Sequence, residues 1–171
     1  ASASRLILPG VGHFAKGMEQ LRKRGLQEAL DQAVLRDGKP ILGICLGMQL
    51  MARSSEEGQA DGLGWFKADV VRFKQERMLG AKVPHMGWSE ITVQKDHPVL
   101  PLDGLEERFY FVHAYHMVCE EPADVLALCE HGYPFVCAVA RQNIVGVQFH
   151  PEKSHRFGMA LMERFIQWQP A

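Results

Sequence analysis

One cysteine of four sits where it could act as a nucleophile. Cys45 is centred in Gly43-Ile44-Cys45-Leu46-Gly47, after the apolar run Pro40-Ile41-Leu42 and before Met48-Gln49-Leu50-Met51-Ala52, which reads as helix. A strand, a nucleophile with glycine two residues to either side, and then a helix is the pattern of a nucleophile elbow, whose tight turn leaves no room for side chains. A thiol placed on a helix N-terminus is expected to have a lowered pKa, because the dipole favours the thiolate. The same residues also fit a buried cysteine in a glycine-rich strand, so the neighbouring chemistry has to decide.

A reactive thiol needs a base, and the base needs an orienter. His150 follows the apolar, β-branched run Ile144 to Phe149. That is the C-terminal end of a strand, where open α/β sheets place their sites. Glu152, two residues on, can return its carboxylate to a ring nitrogen of His150, fixing the tautomer and stabilising the imidazolium. The alternative is a strand-end histidine beside a solvated glutamate. Acyl transfer also calls for backbone N–H groups aimed at the developing oxyanion. In elbow geometry one comes from Leu46, just after the nucleophile. The loop Pro9-Gly10-Val11-Gly12 suits the second, since glycines allow close backbone approach; read alone it is equally an ordinary glycine turn. His85, His113 and His116 fit no metal-ligand spacing well, so no metal is expected. Met48, Met51, Met86, Met117, Met159 and Met162 are expected to fill core.

The elements that must hold these groups alternate at first. Arg5 to Leu8 reads as a buried strand stopped by Pro9-Gly10. Apolar residues from Met18 to Val34 at three- and four-residue spacing predict helix over 14–36, with Gly25 as a break. Ile41 to Ile44 reads as a second buried strand. Strand, helix, strand is a βαβ unit and implies a parallel sheet. The middle differs: residues 68–73, 89–93, 108–113, 125–129 and 134–141 are short β-prone runs between turn-like clusters, and read as antiparallel. Residues 155–168 predict a closing amphipathic helix. No linker divides the chain, so residues 1–171 read as a single domain.

Composition sets the class. The chain has 171 residues, net charge −1, 47% hydrophobic and 23% charged residues, as in an ordinary globular domain. No dense Lys/Arg block suggests nucleic acid or a membrane surface, and no apolar run reaches the ~20 residues of a bilayer span. Cysteines 45, 119, 129 and 137 show no CxxC spacing, which favours a reducing, cytoplasmic compartment. The opening Ala1-Ser2-Ala3-Ser4 reads as a linker.

Pro-Gly-Val-Gly, Gly-Ile-Cys-Leu-Gly-Met-Gln and Gln-Phe-His-Pro-Glu stand in this order. Together they resemble the class I glutamine amidotransferases of the Cys-His-Glu type. Pro84-His85-Met86-Gly87-Trp88 and Tyr110-Phe111-Val112-His113-Ala114-Tyr115 are similar to the glutaminase subunits of imidazole glycerol phosphate synthases, a family of histidine biosynthesis. Residues 9–14, 43–49 and 150–154 match that family too, so the resemblance covers nearly the whole chain.

The resemblance implies an α/β fold: an open, mostly parallel sheet flanked by helices, with a smaller antiparallel portion. It implies hydrolysis of glutamine to glutamate through a thioester on Cys45, with His150 and Glu152 completing the triad and Gly10, Val11, Gly12 and Leu46 forming the oxyanion hole. Gln49, Glu57 and the backbone of His113-Ala114-Tyr115 would hold glutamine. His85, Met86, Gly87, Trp88 and Lys153 would lie near the interface with a (β/α)₈-barrel cyclase. That subunit, the partner in a heterodimer, would take the ammonia to make imidazole glycerol phosphate and aminoimidazole carboxamide ribonucleotide, a lyase step. No cofactor is implied. Glutaminase domains of other synthetases, and a non-catalytic subunit on the same fold, are the alternatives. Two departures stand out. A strand and helix, roughly 35 residues long, usually precede Arg5-Leu6-Ile7-Leu8 in the family, and their loss is expected to remove a central strand. Ala114 stands where the family more often has Ser or Thr, which removes a hydroxyl but spares a backbone role.

Overall fold

The structure is a computed structural model and describes residues 3–78 and 80–170; Ala1 and Ser2 of the expected linker lie outside the described residues. The chain opens with β1 (Leu6–Gly10), α1 (Phe14–Lys23), α2 (Leu26–Asp31) and a π-helical turn over Gln32–Arg36. It continues through β2 (Ile41–Cys45) and α3 (Leu46–Leu50). Strands β3 (Ser54–Ser55), β4 (Ala60–Asp61), β5 (Ala68–Arg72), β6 (His85–Val93) and β7 (Arg108–His113) follow. Then come β8 (Tyr115–Cys119), β9 (Val125–His131), β10 (Tyr133–Arg141), β11 (Ile144–Val147) and α4 (His155–Gln167). Gly25, at φ 63°, divides the first helical stretch as its sequence predicts.

The strands join in the order β1-β2-β11-β10-β8-β5-β3-β4, with β9 linking β10 to β6 and β7 lying beyond β6. β2 runs parallel to β1 on one side and to β11 on the other. The α1–α2 crossover makes the first of these possible, since parallel neighbours need a long connection. Two later connections are too short to cross back. Gly132 alone joins β9 to β10, and Gln142-Asn143 joins β10 to β11; both pairs are antiparallel. The class is α/β as expected, but the sheet is mixed rather than mostly parallel. Among the described residues, parallel pairing is confined to β1-β2-β11 and a short β3–β5 contact.

All five residues of β2 are buried. Alternation splits the core into two clusters on opposite sheet faces. Leu42, Ile44, Val145 and Val147 pack with Leu161 and Phe165 of α4. Ile41 and Ile144 pack with Phe14, Met18 and Leu21 of α1 and Leu46 and Leu50 of α3. β2 has partners on both sides, and the sheet ends at β1, where Ile7 is exposed. Met48, Met51 and Met117 are core residues, and Met162 packs partly buried against it. Met86 and Met159 are not core; they are 63% and 65% exposed, Met86 on the outward row of β6 and Met159 two residues before buried Leu161. Strand β8 was absent from the sequence expectation. Among the described residues no helix is long and apolar enough to cross a membrane.

Candidate active site

The end of β2 delivers Cys45 with φ 53° and ψ −112°, a conformation L-residues rarely adopt outside strained, functional turns. The flanking glycines are steric necessities. A Cβ on Gly47 would sit 1.7 Å from the Leu8 carbonyl oxygen, and one on Gly43 would sit 2.9 Å from the Met48 nitrogen. Their absence lets α3 turn back across the ends of β1 and β2.

The opposing group comes from the chain just after β11. The His150 N–H donates to the Tyr110 carbonyl at 2.9 Å. The Ser154 hydroxyl donates to the His150 carbonyl at 2.6 Å and accepts the Tyr110 N–H at 3.0 Å. This clamp fixes the ring. Glu152 Oε1 lies 2.6 Å from His150 Nδ1. A carboxylate only accepts, so Nδ1 carries a proton, and Nε2 of the neutral ring carries the lone pair. That Nε2 is buried with no hydrogen-bond partner.

Cys45 and His150 line one cavity of about 260 Å³, a volume suited to an amino acid more than to a nucleotide. Val11, Gly12 and Leu46 of the expected oxyanion hole line it as well. So do Gln49, Glu57, His113, Ala114 and Tyr115, the expected substrate contacts, together with Lys153. Gly10 stays outside: it is the last residue of β1, paired with Cys45 in the parallel ladder. Glu57 also accepts the Phe14 N–H at 2.8 Å, capping α1, whose own N-cap His13 makes no side-chain cap. Ala114 separates β7 from β8 and lines the cavity.

The segment Pro84 to Trp88 lies apart from the cavity and divides by strand alternation. His85 is buried, stacked on His131 at 4.1 Å and hydrogen-bonded to His113 and Ser89, so it cannot itself meet a partner. Met86 and Trp88 face outward. Trp88 stacks on His155 and meets Tyr110 edge-on, and Gly87 between them adopts φ 137°. Lys153 lies over the Tyr110 ring at 5.9 Å, joining this patch to the cavity. Among the described residues no group of three or more His, Cys, Asp or Glu side chains could hold a metal.

The expected low thiol pKa is overturned. Burial pushes the Cys45 thiol up to about 11, and the negative charge of Glu152 adds to this. The Leu46 N–H, the Gln148 amide and the Lys153 charge pull the other way without offsetting burial. A five-residue helix at a dry site is outweighed by desolvation. Cys45 still rises less than Cys119 and Cys129, which burial pushes up to about 12.

Gln148, Ser154 and Val112 were not singled out in the sequence. Gln148 is fully buried and Ser154 likewise. Both belong to the continuous stretch Gln148 to Ser154, and Gln148 stands two residues before His150, a spacing that puts both side chains on one face of an extended strand.

The family model described as glutamine amidotransferase class-I matches residues 2–168. The chain is 51% identical over 165 residues to imidazole glycerol phosphate synthase subunit HisH 2 of Pseudomonas aeruginosa, covering 96% of this chain and 81% of that protein. It is 47% identical over 169 residues to the subunit of the same name from Methanococcus maripaludis, covering 98% and 82%. In three dimensions it is similar to a putative GMP synthase subunit of Thermoplasma acidophilum, with TM-score 0.69, 23% identity, and 97% and 72% of the two chains covered, a likeness of fold. The chain belongs to the class I glutamine amidotransferases, in the branch of the imidazole glycerol phosphate synthase glutaminase subunits.

Proposed function

We propose that Cys45, His150 and Glu152 form the triad with which this single-domain chain hydrolyses glutamine, and that its ammonia passes to a (β/α)₈-barrel cyclase bound as a heterodimer. The observation that carries the reading is the state of His150. Its Nδ1 is held by Glu152, its buried Nε2 has no partner, and the residue lines the cavity that contains the strained Cys45.

Because burial keeps Cys45 a thiol, the first step is general-base transfer of its proton to His150 Nε2 as Sγ attacks the side-chain carbonyl carbon of glutamine. The oxyanion takes hydrogen bonds from the Leu46 N–H and from the Val11-Gly12 backbone. His150 then returns the proton to the departing nitrogen, the C–N bond breaks and ammonia leaves a γ-glutamyl thioester. His150 next removes a proton from water, whose oxygen attacks the thioester; the C–S bond breaks, Cys45 recovers the proton and glutamate departs. Glu57 and Lys153 give the cavity one negative and one positive group, which suits a zwitterionic amino acid. Gln49 presents its carbonyl oxygen to the substrate, since its amide hydrogens are used elsewhere.

Met86 and Trp88, linked to the cavity through Tyr110 and Lys153, form with Lys153 the face for the cyclase. The four cysteines are free thiols, which fits a cytoplasmic setting. The test is glutamine hydrolysis with and without the cyclase and its nucleotide. Strong stimulation by both is the expected result. A Cys45→Ala variant that still made imidazole glycerol phosphate from glutamine would overturn the mechanism.

A further inference from the structure

The geometry points to Gln148 as a further catalytic residue, whose amide N–H donates to Cys45 Sγ and stabilises the thiolate as it forms. This rests on Cys45 being the nucleophile. Gln148 is fully buried, and its Nε2 lies 3.7 Å from Sγ.

Which end of the amide faces the sulfur is fixed by a chain of partners beginning at a backbone carbonyl. The Tyr115 carbonyl can only accept, so the Gln49 atom 3.1 Å from it is the NH₂ group. The same NH₂ group lies 3.0 Å from Gln148, so the Gln148 atom facing it is the oxygen. The Gln148 NH₂ group must therefore face Cys45; the flipped amide would set two donors against each other. The Tyr115 carbonyl is anchored from its other side too. His113 Nδ1 donates to it at 2.7 Å, and His113 Nε2 accepts from His85 Nδ1 at 3.3 Å. The Ser89 hydroxyl donates to His85 Nε2 at 2.9 Å. Burial keeps both imidazoles neutral, so this direction of donation holds at neutral pH.

The arrangement divides labour at the sulfur. Gln148 occupies a lone pair with a donor, and a donor cannot take the thiol proton. His150 Nε2, without a partner, can. When the proton moves from Sγ to Nε2 no proton leaves the site; the Gln148 N–H···S contact changes from a neutral to a charge-assisted hydrogen bond, which is the stronger kind. The other charged groups that face Cys45 are Glu152, which opposes the thiolate, and Lys153, which favours it. Gln148 supplies a dipole beside them that carries no net charge.

Two near-isosteric variants test this in the complex with the cyclase: Gln148→Met, which removes donor and acceptor without adding charge, and Gln148→Glu, which keeps an acceptor for Gln49 and, when ionised, puts a negative charge in place of the donor. Alkylation of Cys45 by iodoacetamide is followed by mass spectrometry across pH, alongside kcat and KM for glutamine. The lost donor should lower the alkylation rate at pH 8 by about tenfold and kcat by a similar factor. Gln148→Glu should leave KM within about twofold, because the Gln49 contact survives. A wild-type alkylation–pH curve in either folded variant would overturn the proposal. Alkylation does not depend on glutamine turnover, so a complex that alkylates as stated but hydrolyses no glutamine would reject the glutaminase reading and leave the Gln148–Cys45 contact standing.

Discussion

Glu152 Oε1 lies 2.6 Å from His150 Nδ1, yet the two side chains inhabit different solvents: His150 is 2% exposed and Glu152 is 56% exposed. The carboxylate therefore orients a buried ring from the water side. Its charge is screened, so its main work is to hold the proton on Nδ1 and leave Nε2 open. Glutamine at this position can still accept from Nδ1 through its amide oxygen. The Glu152→Gln variant should fold and keep part of its activity, with kcat for glutamine lower by about 10- to 100-fold, less than for a fully buried triad acid. Synthesis from added ammonia in the complex should be unchanged. Paired assays with glutamine and with ammonium salt check this; equal loss in both would place the damage outside the triad.

Cys45 resists ionisation in the free chain because burial disfavours the charged form, which raises its pKa to about 11. Alkylation requires the thiolate, so its rate should rise about tenfold per pH unit from pH 7 towards 10, with no plateau near neutrality. Cys45 should nevertheless outpace Cys129, whose thiol is pushed up to about 12 and which lies outside the cavity. Iodoacetamide labelling resolved by peptide gives both curves. A plateau below pH 8 would mean a preformed thiolate–imidazolium pair and a different first step.

The part of the site that was legible in the sequence is the part made by local geometry. Gly-x-Cys-x-Gly after an apolar strand specifies a turn that only glycines permit, and His-x-Glu places a carboxylate within reach of its own neighbour. Burial is not local. The thiol pKa is not legible there, because a helix N-terminus is visible in a sequence, while the desolvation that overrides it is set by the core cluster that gathers β10, β11 and α4 around Cys45. Gln148 carried no signal of its own; its role appears only where β11, α3 and the Tyr115 carbonyl converge. Strand β8 was missed because Ala114, neither glycine nor proline, separates it from β7. The mixed sheet follows from one- and two-residue connections at Gly132 and at Gln142-Asn143, whose consequence for strand direction depends on knowing which strands are neighbours.

Gly47 and Gly12 are both glycines of the site, but the structure gives them opposite tolerances. A Cβ on Gly47 meets the Leu8 carbonyl oxygen at 1.7 Å, backbone against backbone, so β1 or α3 must move. Gly47→Ala should lose about 4 kcal/mol or more of stability and show no cooperative thermal transition in the normal range. A Cβ on Gly12 meets nothing within 4 Å, although φ is 100°. Gly12→Ala should fold, with about 1–2 kcal/mol lost to backbone strain, and should slow glutamine hydrolysis by disturbing the Val11-Gly12 backbone. Thermal unfolding followed by circular dichroism separates the two; a stable Gly47→Ala protein would contradict the close approach of α3 to β1.

Trp88 makes the test of the proposed docking face. It is 41% exposed, stacked on His155 at 5.6 Å and paired across the strand with Tyr110, over which Lys153 lies. The ring is thus held in place before any partner arrives, and ordering it costs little on binding. Its outer surface, with exposed Met86, is apolar, the composition from which interface anchors are drawn. Trp88→Ala removes no triad group and no cavity-lining side chain. The basal hydrolysis of glutamine by the variant alone should match the unmodified chain, whereas the cyclase concentration needed for half-maximal stimulation should rise about tenfold or more. Titrating cyclase against glutaminase rate measures both quantities. Unchanged half-saturation would move the docking face away from β6, while a lower basal rate would show that Trp88 supports the clamp around His150 through Tyr110.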